Sequence, residues 1–347
     1  MNNQMLKNCT SLIESRDRIK AVFGWDSGLI HLACAGIYVT KEKEVDVNVL
    51  QDCKEMLQQR VGLFSNFRST ARSPIAAMLA VSENPERTLD NGLLVYQLLK
   101  KEFWSSTYLP LTSMVIAQMA DSHHYEAIAA RTRRIYSRMK AEHPFLTSGE
   151  DSANCALLAL SEKTDDELIN NIESCYQILK PNFFSSNAVQ SLSHVLALGQ
   201  GNAEVKCKRS MDLFYGLKDQ GYKYGTSFEL PTLGVLALTD GPKDKMIQEM
   251  VEINNWLSNQ RGFGFFSSIT AKQRLMYAGM ITQLEYINSD TMQTTAVTST
   301  ISLIVAQEAA ACAAIAASAA ASASSSSSQY RIDKRNGKMP IRFMNIM

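Results

Sequence analysis

The amino-acid sequence predicts an all-α protein of about seven stacked helical hairpins of roughly 40 residues each, curved into an α-solenoid or closed into an α/α toroid. Three observations carry that expectation. A small residue recurs thirteen positions after an aromatic or a leucine, an apolar stripe of helical period follows it, and prolines fall where such helices start or stop.

Taken in order, the units start near residues 23, 67, 104, 146, 184, 224 and 266. Phe23 leads to Gly36, Phe67 to Ala80, Trp104 to Ala117, Leu146 to Ala159, Phe184 to Ala197, Tyr224 to Ala237 and Phe266 to Gly279. The small residue is expected in the middle of a first helix, where it lets a neighbouring helix approach. The leading aromatic is expected to pack as a staple on that helix's first turn, and the serine pairs after Trp104, Phe184 and Phe266 suit N-capping. A second helix follows. Leu168, Ile172, Cys175 and Leu179 lie nine, thirteen, sixteen and twenty positions after Ala159, and Met246, Met250, Ile253 and Leu257 repeat those counts after Ala237. Such steps put one stripe on one face. After Ala80 the stripe holds for Leu89, Leu93 and Tyr96 and then drifts.

Proline has no N–H and is excluded from helix interiors. Pro74, Pro110 and Pro231 fall where first helices begin, Pro85 and Pro242 where second helices begin, and Pro144 and Pro181 where second helices end. The seventh unit lacks a second helix unless the Ala-rich stretch 301–323 supplies it. That stretch is not read as a membrane span, because Gln307 and Glu308 stand inside it and a charge near a bilayer centre costs about 3 kcal/mol. Residues 1–325 read as a single helical-repeat domain, and residues 326–347, carrying Arg331, Lys334, Arg335, Lys338 and Arg342, as a basic, disordered tail.

With 347 residues, 46% hydrophobic and 20% charged, the chain can bury a large core, and intrinsic disorder is excluded for most of its length. A net charge of +1 provides no overall field toward nucleic acid or anionic membrane, so neither is an expected partner. The seven cysteines are odd in number, widely spaced and free of C-x-x-C pairs, which argues against a disulfide framework. Residues 1–20 carry Glu14, Arg16, Asp17, Arg18 and Lys20 and no apolar h-region, so the chain is expected in the cytoplasm.

The segment Phe103-Trp104-Ser105-Ser106-Thr107-Tyr108-Leu109-Pro110-Leu111 resembles the signature of a bacterial family of uncharacterised proteins, domain-of-unknown-function family 4003, over about residues 10–325. The resemblance implies an all-helical fold and a cytoplasmic setting, and it implies no activity. Gly262-Phe263-Gly264-Phe265 and Tyr222-Lys223-Tyr224-Gly225 are weakly similar to loops that precede inner helices in prenyltransferase and terpene-cyclase toroids. The zinc ligands of the former and the D-x-D-D acid motif of the latter are not recognisable, since Asp165-Asp166-Glu167 has the wrong spacing.

Candidate chemistry is sparse. His31 and Cys34 share a helical face, but no two further ligands accompany them; His123 and His124 are adjacent, which on a helix points them apart, so no metal or cofactor is expected. No G-x-S-x-G elbow or phosphate loop occurs. If the hairpins stack in register, their leading loops share one end of the array, and Trp25, Arg68, Arg72, Trp104, Tyr108, Asn187, Tyr224 and Glu229 would form a rim there, with Asp26, Asn182, Phe265 and Lys272. An aromatic rim with mixed polar groups suits a protein, a peptide or a small polar ligand, so a binding or scaffold module is the first expectation. Two alternatives are an α/α-toroid enzyme with an acidic or Arg-lined central pocket and a nucleic-acid binder using Arg131, Arg133, Arg134, Arg138 and Lys140, a run that equally suits a solvated helix face.

Overall fold

The computed structural model describes residues 1–62, 65–69, 71–103, 108–147, 151–264 and 267–287, and among them it is all-helical, with fourteen α-helices and no strand. In chain order they are α1 (Asn3–Val22), α2 (Gly28–Thr40), α3 (Val47–Arg60), α4 (Arg72–Ala80), α5 (Pro85–Glu102), α6 (Leu109–Met119), α7 (Tyr125–Glu142), α8 (Ser152–Leu160), α9 (Asp165–Leu179), α10 (Ser186–Leu198), α11 (Ala203–Asp219), α12 (Leu230–Leu238), α13 (Lys243–Ser258) and α14 (Ala271–Ile287). No helix among the described residues is long and apolar enough to cross a membrane.

Two kinds of helix alternate. The even-numbered helices are mostly short and buried on every side: all residues of α12 from Leu230 to Ala237, and all of α8 from Ser152 to Ala159, are buried. The odd-numbered helices keep one wet face and bury a stripe, as Leu168, Ile169, Ile172, Cys175, Tyr176 and Leu179 do in α9. The stripe expected on α13, Met246, Met250, Ile253 and Leu257, is fully buried. Caps define the starts: Ser27, Asp46, Asn84, Ser185 and Asn202 accept backbone N–H groups, and Thr164 with Glu167 forms a capping box on α9. Pro85 opens α5, Pro110 and Pro231 lie in the first turns of α6 and α12, and Pro242 is the N-cap of α13.

Each odd-numbered helix packs against the even-numbered helix that follows it, so the pairs are α1 with α2 through α13 with α14. The sequence periodicity, read from the aromatic onward, starts each unit half a hairpin late. That phase error produced the apparent lack of a partner for the last first-helix: α14 pairs with α13, and the extra helix is α1. The stripe of α1 includes Asn8, Ser15 and Arg16 beside Met5, Cys9, Leu12 and Ile19, and those polar members hid it. Like also packs with like, from α2 on α4 to α12 on α14 and from α1 on α3 to α11 on α13. α1 additionally meets α13 and α14.

Two further expectations need correction. The recurring alanines lie near the C-terminal ends of their helices rather than in the middles, Ala80 being the last residue of α4 and Ala159, Ala197 and Ala237 each next to last in theirs, whereas Gly36 and Gly279 do lie inside α2 and α14. Helices α10 and α12 come close at Gly234, where an added Cβ would meet Leu192 Cδ1 at 2.8 Å and Val195 Cγ1 at 2.9 Å. The staple at residue 184 is displaced by one. Phe183 is buried edge-to-face on Phe214 at 5.0 Å, whereas Phe184 is exposed. The same joint recurs as Phe67 on Tyr96 and Phe103 on Tyr136. Trp104, Phe266 and the stretches 301–323 and 326–347 lie outside the described residues.

Candidate functional site

Loops from odd- to even-numbered helices share one end of the helices, and they hold the three most exposed large hydrophobic side chains among the described residues: Trp25 at 102%, Phe145 at 98% and Phe184 at 100% exposure. Local geometry forces one of them out. Phe183 is extended (φ −134°, ψ 139°), so successive side chains take opposite sides, and burying Phe183 thrusts Phe184 into solvent. Phe23 is buried beneath Lys54 Nζ and the Arg72 guanidinium, 5.2 and 5.5 Å from its ring centre, and the turn after it presents Trp25.

Next to Trp25 in the chain, a polar group is assembled from the α1–α2 loop and the first turn of α4. Ser73 donates its hydroxyl hydrogen to the Asp26 carboxylate, and Arg72 lies 3.8 Å from the same carboxylate. The first turns of the buried helices carry further polar residues: Thr112 and Ser152 share a hydrogen bond of 3.3 Å, and Gln190 donates to Thr147 at 3.0 Å. Glu229, 4% exposed, accepts from the Ser227 N–H at 3.2 Å.

Of the sequence-derived rim, Trp25, Asp26 and Arg72 are thus brought together. Tyr108 is half-buried ahead of α6, while Asn187 and Lys272 are exposed and Asn182 accepts from Tyr215 at 3.4 Å. Arg68 donates to Gln58 and Val61 carbonyls and so closes the C-terminus of α3. Tyr224 and Glu229 lie beneath the surface, and burial pushes the Tyr224 phenol far up. Trp104 and Phe265 lie outside the described residues. The two exposed phenylalanines were missed because Phe184 stood in the staple position and Phe145 beside Leu146; only the loop backbone decides which ring of an aromatic pair faces water.

The basic run of α7 is engaged within the fold. Arg131 and Arg134 reach Asp165 at 2.8 and 3.3 Å, Arg138 reaches Asp166 at 2.7 Å, and Arg133 lies over Phe103 and Tyr136. Burial alone would raise the Asp165 carboxyl, but the two guanidiniums together outweigh it and hold it below its usual value. His31 is spent on the Phe23 carbonyl at 2.8 Å, and burial pushes the Cys34 thiol up, so that pair offers no open ligands. At the opposite end, the 3-10 turn Ser122–His124 places the His123 and His124 rings 3.9 Å apart beside Asp121. Asp121 and His124 also line a cleft of about 530 Å³.

Compared with known proteins, the chain is 23% identical over 293 residues to the uncharacterized protein YeaA of Bacillus subtilis (strain 168), covering 79% of this chain and 87% of that protein. No solved structure is a significant match. A sequence profile described as "Protein of unknown function (DUF4003)" matches residues 17–310, and with that span the chain belongs to the DUF4003 family.

Proposed function

We propose that the helices form a closed α/α ring of seven hairpins, even-numbered helices inside and odd-numbered outside, and that the protein is a non-catalytic module that binds a peptide across the loop end. The observation that carries the binding reading is the placement of Trp25, Phe145 and Phe184, the three most exposed large hydrophobic side chains described, all in loops of that end. A buried aromatic is worth about 1.5–3 kcal/mol relative to an exposed one. Three rings held in water at one end are therefore a latent contact surface. In a ring, the loop of Trp25 stands across the opening from those of Phe145 and Phe184, so the rings would grip apolar side chains of an extended segment. The Asp26–Arg72–Ser73 group beside Trp25 supplies an acceptor and donors for its backbone amides.

The test is a peptide array probed with the full chain, alongside melting curves with the peptides it selects. Wild type is expected to bind a definable peptide class and to gain several degrees in Tm with it. The combined variant Trp25→Ser, Phe145→Ser, Phe184→Ser is expected to lose that binding while its unliganded Tm stays within about 2 °C per substitution, as for surface changes. Retained binding in the variant would move the site elsewhere, and a large drop in unliganded Tm would make the rings structural.

A further inference from the structure

The turn between α6 and α7 brings together an aspartate and two histidines. His124 N–H donates to the Asp121 carbonyl at 2.9 Å, which folds the turn back and sets the Asp121 carboxylate beside both imidazoles. One ligand atom from each of Asp121, His123 and His124 lies within 4.8 Å of the other two, and all three residues are exposed. Among the described residues, none of the three side chains makes a hydrogen bond that would explain why the two rings are held 3.9 Å apart. Asp121 and His124 of this turn also line the 530 Å³ cleft, together with the apolar Ile128 and Leu160 and the cationic Arg131 and Arg134.

We propose that Asp121, His123 and His124 bind one zinc ion, leaving its fourth position open toward that cleft. Two neutral imidazoles and one carboxylate are a donor set suited to this borderline ion, and three protein ligands with one open position is the pattern of an accessible zinc rather than a structural one. Tetrahedral zinc with ligand bonds of about 2.0–2.1 Å sets ligand atoms about 3.4 Å apart, so the present separations close by modest rotation of exposed side chains. The α7 N-terminus opposes a cation by less than about 1 kcal/mol, and the Asp121 carboxylate with Glu126 in the first turn offsets it. The charges of the cleft arginines are already met by Asp165, at 2.8 Å for Arg131 and 3.3 Å for Arg134, which lowers their repulsion of the ion. Arg134 is the more exposed of the two, so a small anion entering the open zinc position would meet a guanidinium across the cleft. This site lies at the end of the helices away from the aromatic loops and is independent of the peptide reading.

The experiment is calorimetric titration of the untagged full chain with zinc chloride, paired with cobalt(II) absorption spectra. One ion per chain is expected, with His123→Ala and His124→Ala each weakening binding on the order of 100-fold and Asp121→Asn about tenfold, and with apo melting temperatures unchanged. Cobalt is expected to show d–d bands without thiolate charge transfer, since the six described cysteines are buried. Absence of binding up to about 1 mM zinc overturns the proposal. So does equal affinity in the His123→Ala, His124→Ala double variant, or a thiolate band, which would assign the metal to cysteine.

Discussion

His194 shows how one residue sets a pH limit on the whole fold. It is 1% exposed within α10, and neither ring nitrogen has a hydrogen-bond partner among the described residues. Burial first, and the charge of His143 second, push its pKa from 6.5 to about 3. Because the folded value lies below the unfolded one, the unfolded chain takes up a proton first as pH falls, and stability drains away from about pH 6.5 down to about pH 3. Between pH 7 and pH 5 this linkage removes about 2 kcal/mol. His194→Leu, which leaves no partnerless polar atom, is expected to stay within about 1 kcal/mol of wild type at pH 7 and to keep those 2 kcal/mol at pH 5. Urea midpoints measured at both pH values decide it; an equal acid loss in both proteins would show that the imidazole is hydrated or paired.

Elements differ in how much of them could be read beforehand. Short buried helices were legible because proline, a serine cap and uninterrupted apolar residues coincide, and the stripes on α9 and α13 were legible because burial selects steps of three and four. The phase of pairing was not, since the residue that marks a repeat need not begin a structural unit. The site was mostly illegible: whether Phe183 or Phe184 faces water depends on loop backbone, and His123 and His124 converge only because a 3-10 turn, not an α-helix, holds them. The small-residue signal misled in a measurable way. At Gly36 an added Cβ meets only Met280 Cε at 3.7 Å, an ordinary contact, so Gly36→Ala should stabilise α2 by up to about 1 kcal/mol through helix propensity. At Gly234 the same methyl strikes Leu192 and the stiff, β-branched Val195, and the clash outweighs propensity, so Gly234→Ala should destabilise by about 1–2 kcal/mol. Denaturation of the two variants side by side tests this. Equal signs would mean that α10 and α12 can move apart without cost.

At the scale of the molecule, the proposed ring turns on what α1 does. Phe23 after α1 is covered by Lys54 of α3, Phe103 after α5 by Arg133 of α7, and Phe263 after α13 by Arg16 of α1, 5.4 Å from the ring centre. The last joint therefore repeats the internal ones, with α1 standing where an odd-numbered helix after α13 would stand. Arg16 also donates to the Arg261 carbonyl at 2.8 Å, Asn2 donates to Glu285 at 2.8 Å, and the Met1 ammonium pairs with Glu252, holding its carboxyl below the usual value. An open array frays from its ends, because terminal units have one neighbour; a closed ring has no such ends. Amide exchange in α14 and α1 is thus expected to be as slow as in α7 and α9. Arg16→Ala removes a buried guanidinium, its carbonyl contact and its cover over Phe263, for about 2 kcal/mol. It should speed exchange across α13, α14 and α1 far more than in α7, as mass spectrometry of exchanged peptides would resolve. Fast exchange of α14 in the wild-type chain, or an Arg16→Ala effect confined to α1, would reduce the ring to a curved solenoid whose ends merely lie side by side.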